Sequence, residues 1–94
     1  MLYVTEYRLR PHLTRADSKE LLEEFNRQGG QSPGEVAHYL RLDGSGGTVV
    51  SESDDVEALH RYLLAFGPWL EFTVTPARTI QDGLGAIVDY LSRA

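Results

Sequence analysis

Between Glu52 and Pro76 the chain reads ESDDVEALHRYLLAFGPWLEFTVTP. Three local signals follow one another in this run. A helix starts at Ser53 or Asp54, where Asp54 and Glu57 set negative charge against the unpaired N–H groups of its first turn. Val56, Leu59, Leu63 and Phe66 then recur at helical spacing as one apolar stripe. Gly67-Pro68 stops the helix, and residues 69–75 alternate as a strand. Leu70, Phe72 and Val74 fall on one face of that strand, and Trp69, Glu71, Thr73 and Thr75 on the other. Pro76 is expected to close it. A capped amphipathic helix passing through a tight stop into an alternating strand is the second half of a β-α-β unit.

The same order occurs earlier in the chain. Residues 2–9, LYVTEYRL, are β-branched and aromatic and end at Arg10-Pro11, so they read as a strand. Tyr3, Thr5, Tyr7 and Leu9 share one face, and Leu2, Val4, Glu6 and Arg8 the other. Thr14 is a helix N-cap with Asp17 in the first turn, Leu21, Leu22 and Phe25 form the stripe, and Gly29-Gly30 ends it. Residues 35–42 and 48–52 are strands flanking Asp43-Gly44-Ser45-Gly46-Gly47, a hairpin whose glycines suit positive φ angles. A last helix runs from about Thr79 to Ser92, with Ile80, Leu84, Ile87, Val88 and Leu91 on one stripe.

The resulting order, βαββαβα, predicts an α+β fold. It is a ferredoxin-like βαββαβ arrangement with an extra C-terminal helix, forming one domain over residues 1–94. Right-handed crossovers put the two main helices on one face of a four-stranded antiparallel sheet. The other face is left bare, and residues such as Val4 and Trp69 would make it an apolar patch unsuited to a monomer. Two such sheets packed face to face in a two-fold homodimer would close a dimeric α/β barrel able to hold a small ligand.

Composition narrows the function classes. At 94 residues the chain hides a smaller share of its surface than a larger domain would, which favours pairing. A formal charge of −5 argues against a nucleic-acid partner, which would require a basic face. No apolar run nears the roughly 20 residues of a membrane helix. Glu6 and Arg8 interrupt the N-terminus where a signal peptide would be apolar, so a cytoplasmic location is expected. The absence of cysteine removes disulfides, thiolate catalysis and Cys-ligated metals. His12, His38 and His60 lack metal-ligand spacing, so neither a metal nor a cofactor is expected.

Several segments carry a family resemblance. The opening MLYVTEYRLRP, the HYLRLDGSGG hairpin, the ESDD helix start, Trp69 with Glu71-Phe72, and the strand end at Thr75-Pro76 resemble the small DUF3303 family over residues 2–77. The resemblance implies a dimeric α/β barrel of the ferredoxin-like type. It implies no activity, because that family is a domain of unknown function. More distantly, the topology is similar to dimeric barrels that oxidise aromatic compounds without metal or flavin, isomerise, degrade haem or only bind. Fold analogy of this kind does not fix function.

The residues that could carry chemistry are Glu6, Tyr39, Arg41, Trp69 and Glu71. On the second strand, Tyr39 and Arg41 share a face, where Arg41 could meet an anionic or carbonyl oxygen and Tyr39 could stack. Glu6 and Glu71 lie on neighbouring strands, and two close carboxylates would suit proton transfer. Pairing with Arg8 or Arg41 at an interface is the simpler account of both acids. His38 lies on the opposite face with Leu40 and Leu42, as a hydrogen-bonded, partly buried histidine would. Trp69 suits a pocket wall or an interface. The expected function is a cytoplasmic homodimer binding a small molecule between or beside the paired sheets. The alternatives are a cofactor-independent monooxygenase or isomerase, and a non-catalytic dimerisation module.

Overall fold

The computed structural model describes residues 1–93, in seven elements. These are β1 (Leu2–Leu9), α1 (Arg15–Arg27), β2 (Glu35–Leu40), β3 (Gly46–Glu52), α2 (Val56–Ala65), β4 (Leu70–Ala77) and α3 (Ile80–Ser92). The strands form one antiparallel sheet in the order β2-β3-β1-β4, the ferredoxin-like arrangement expected from the sequence. Side chains of α1 and α2 converge on the same sheet face, where Thr5, Val49, Ser51 and Leu70 are buried beneath Leu59 and Phe66 of the second helical segment.

Capping chemistry sets the helix starts. Thr14 Oγ1 accepts the Asp17 N–H at 3.0 Å, and the Asp17 carboxylate accepts the Thr14 N–H at 2.9 Å. These reciprocal bonds satisfy donors that the first turn of α1 would leave unpaired, and they hold the Asp17 carboxyl below its ordinary pKa. The cap of α2 is Asp55, whose Oδ1 accepts the Ala58 N–H at 2.9 Å. The helix thus starts later than the Ser53 or Asp54 expected, because Ser53 Oγ accepts the Asp55 N–H and turns the chain first. Asp54 instead lies 3.5 Å from the N-terminal ammonium.

Two further boundaries differ from expectation. The turn between β2 and β3 closes early, with Gly44 N–H donating to the Arg41 carbonyl, so Gly46 and Gly47 belong to β3. Gly44 serves the turn with φ of 76°, and Gly46 at the start of β3 also has a positive φ, 157°. A Cβ at Gly46 would fall 1.9 Å from the Tyr7 carbonyl oxygen, so glycine there permits the close approach of β1. Pro76 does not end β4. It pairs with Tyr3 inside the strand, which an edge position allows because the missing N–H would face away from the sheet.

α3 is capped by Thr79, whose Oγ1 accepts the Asp82 N–H at 3.1 Å. None of its side chains is buried. At about 3.3 Å per strand residue and 1.5 Å per helical residue, β4 and α3 laid end to end account for about 46 Å of the 56 Å long axis. The helix therefore continues outward from the sheet instead of folding over it.

Candidate functional site

A cavity of about 480 Å³ lies between the sheet and the two helices α1 and α2. Its volume falls within the range of small-molecule sites. The walls are mainly apolar: Leu21 and Phe25 from α1, Leu59 and Leu63 from α2, Val49 and Phe72 from the sheet. The lining residues that stay exposed, Leu22, Leu40, Arg41 and Gly44, mark its mouth.

One wall is polar, and backbone features place its members. Tyr7 projects from β1, and its register partner on β3 is Gly47. A Cβ at Gly47 would sit 2.5 Å from the Tyr7 hydroxyl, so the missing side chain lets the phenol reach over β3. There the hydroxyl lies 2.6 Å from Nε2 of His38 on β2, with the two rings edge to face. Phe25 of α1 closes on the imidazole from another side, with centroids 6.4 Å apart.

Glu35 completes the wall through a β-bulge. Strict alternation would put Glu35 and His38, three residues apart, on opposite faces. The β2–β3 register shifts between Glu35 and Ala37, inserting the exposed Val36 as the extra residue. Glu35 is thereby re-aimed, and its Oε1 lies 3.7 Å from His38 Nδ1. That spacing is an ion-pair distance for a protonated ring and longer than a hydrogen bond. The same Oε1 accepts from Ser32 Oγ at 3.3 Å, and Ser32 Oγ lies 3.5 Å from Ser51 Oγ. A continuous polar string, Ser51–Ser32–Glu35–His38–Tyr7, thus crosses an apolar chamber. With the ring proton on Nδ1 toward Glu35, Nε2 accepts from the Tyr7 hydroxyl.

The electrostatics favour neutral phenols. Burial, and then the Glu35 carboxylate, raise the pKa of Tyr7. Tyr62 of α2 is pushed up to about 12, first by burial and then by Glu35 and Tyr7. Both hydroxyls are therefore donors across the physiological range. Beside them, Thr5 is 2% exposed and lines the same chamber, and its Oγ1 has no hydrogen-bond partner. A buried hydroxyl left unpaired is costly unless something else supplies its bond.

The residues singled out from the sequence lie elsewhere. Glu6 and Tyr39 both pair with Thr48, and Glu6 also pairs with Thr73, which puts them in one row on the open sheet face. Glu71 pairs with Arg8 on that face, as a diagonal neighbour of Glu6 about 7–8 Å away at Cα. Its carboxylate lies 3.4 Å from the Arg10 guanidinium, so Arg10 supplies the ion pair expected from Arg8 or Arg41. Trp69 is half-buried in the turn before β4. Arg41 alone reaches the cavity, at its mouth. Tyr7, Thr5, Glu35 and Tyr62 were not singled out. The clue to Tyr7 and Thr5 was their shared face with Tyr3 and Leu9, opposite Glu6.

Among the described residues no three His, Asp or Glu side chains converge as they would on a metal ion. No helix among them is long and apolar enough to cross a membrane. No curated protein matches the chain. The family described as a domain of unknown function, DUF3303, matches residues 1–91, and the chain belongs to that family.

Proposed function

We propose that this domain is a small-molecule-binding subunit that pairs through its open sheet face. In this reading its ligand sits in the chamber between the sheet and α1 and α2, beside the paired sheets and not between them. The observation that carries the reading is the polar Tyr7–His38–Glu35 wall set into an apolar chamber of about 480 Å³. A ligand hydroxyl or carbonyl could accept from the Tyr7 or Tyr62 phenol, both of which stay protonated. The lining accepts an aromatic or polyketide-like body, and Arg41 at the mouth suits an anionic or carbonyl substituent. Differential scanning fluorimetry with 1-naphthol and anthrone tests this. Both are expected to raise the melting temperature, and a Leu59→Trp variant, which fills the chamber, is expected to lose the response. No shift with any aromatic hydroxy or keto compound would defeat the reading.

A second reading is an isomerase or a cofactor-independent monooxygenase, whose first step is proton removal from a bound carbonyl compound. The Tyr7–His38–Glu35 string favours it. A bound carbonyl oxygen would replace His38 as acceptor of the Tyr7 hydroxyl proton, the freed Nε2 would take the α-proton, and Glu35 would stabilise the imidazolium beside the Tyr7-bound enolate. Exchange of the α-hydrogens of 2-tetralone with heavy water, followed by NMR, checks this. Exchange above the buffer rate that disappears in His38→Gln supports proton transfer; the buffer rate alone leaves binding without catalysis.

A further inference from the structure

We infer that α3 is an exchanged arm, whose apolar stripe lies against a second copy of the chain and not against the body that carries it. The inference rests on the pairing half of the proposal above and names the element that consolidates the pair.

Ile80, Leu84, Ile87, Val88 and Leu91 share one side of α3, and each is between 48% and 65% exposed. This is a coherent apolar stripe, and no described residue of its own chain covers it. The helix could not hold together unsupported. It has only thirteen residues, near the lower limit for an isolated helix even in alanine-rich sequences. It also contains Gly83 and Gly85, the poorest formers after proline, together with β-branched Ile80, Ile87 and Val88. Its cap at Thr79 defines where it starts but does not supply a partner surface. The Arg78 guanidinium donates to the Asp82 carbonyl at 2.6 Å, fixing the first turn as an outward continuation of β4.

The area available fits a pair of identical chains. A compact monomer of 10.5 kDa exposes about 5,400 Å². This chain exposes 6878 Å², an excess of about 1,500 Å². Its radius of gyration is 16.2 Å, against about 12 Å for a compact chain of this length. Standard interfaces hide about 800 Å² per partner and permanent homodimers more than about 1,000 Å². The excess is therefore the size of one side of a permanent homodimer.

A second copy is the occupant that the chemistry favours. The charged residues on and beside α3 are Arg78, Asp82, Asp89 and Arg93, and Arg93 is paired with Asp89 at 3.0 Å. Among the described residues α3 therefore presents no basic face to an anionic lipid surface. Each chain carries both an arm and a bare sheet face, so a two-fold exchange covers both at once and closes the assembly.

Light scattering at micromolar concentration, with three proteins, tests the inference. The unaltered chain is expected at about 21 kDa, twice the 10.5 kDa of one chain. Ile87→Asp, in the stripe, is expected to weaken pairing about 100-fold or more and appear as a monomer. Ala86→Asp adds the same charge on the opposite side of α3 and is expected to leave the mass at twice that of one chain. In the unaltered protein, an isotope-filtered NOE experiment on mixed labelled and unlabelled chains should show contacts from the Ile87 and Val88 methyls to the other copy. A monomeric unaltered chain would overturn both the pairing and the arm. A dimer that survives Ile87→Asp, with α3 contacts only inside one copy, would overturn the arm alone and leave sheet-face pairing and the chamber standing.

Discussion

Thr5 pairs with Val49 and Val74 in the middle of the sheet, and its methyl suits that position while its hydroxyl finds no partner. Replacing it with valine keeps the shape and removes the unpaired group. Thr5→Val is therefore expected to stabilise the ligand-free protein by about 1 kcal/mol, the lower end of what an unsatisfied buried hydroxyl costs. Urea denaturation reads this as a raised midpoint at unchanged slope. A destabilised Thr5→Val would show that the hydroxyl is already satisfied. Tyr7 and Tyr62 give a second expectation at this scale. Their folded pKa values lie above the ordinary value near 10, so the folded state keeps protons that the unfolded chain releases. Their contribution to stability is fully present below pH about 10 and is lost as pH rises from there toward 12. Chemical denaturation across that window should show falling stability, and a flat profile would contradict the burial of both phenols. Alternation alone made Tyr7, Thr5 and His38 legible as facing away from Glu6 and Tyr39. Glu35 was not legible, because a one-residue bulge at Val36 reverses its side and leaves no mark in the residue pattern.

The helices and the sheet order followed from features with local physical causes. The Thr14–Asp17 box, the glycine pair after α1, and the Gly67-Pro68 stop each act within a few residues, so the sequence displays them openly. Thr14→Ala removes the Thr14 side of the box and is expected to cost about 1 kcal/mol in thermal or urea unfolding. The hairpin was less legible because Gly46 and Gly47 owe their identity to a different strand. Their Cβ positions are taken by the Tyr7 carbonyl and hydroxyl, a long-range constraint that turn chemistry does not predict. Gly47→Ala should therefore do more than add a methyl group. With the Tyr39 carbonyl oxygen also 2.5 Å away, backbone must shift, and a loss of about 2 kcal/mol or more is expected. The variant should also displace Tyr7 from His38, visible as a changed His38 imidazole NMR signal. An unchanged stability and an unchanged imidazole would show that Tyr7 does not depend on the gap.

At the scale of the molecule, the two sheet faces differ in character. The open face carries Glu6, Tyr39, Glu71 and the threonines between them, a mixed surface suited to a partner copy. The covered face holds the chamber with its polar string. Sequence reasoning assigned ligand contacts to the open face because paired sheets enclose it. The gap between α1, α2 and the sheet depends on how far the helices stand off, and residue periodicity does not encode that distance. The apolar stripe of α3 was legible as a stripe, but its lack of a partner within the chain was not. If the ligand enters the helix-side chamber, methyl-resolved NMR titration with 1-naphthol will register it there. Signals of Leu21, Leu59, Leu63 and Leu70 are expected to move together with saturation, while Val4 and Val50 on the open face stay in place. Movement confined to Val4 and Val50, or no movement at any methyl, would contradict it.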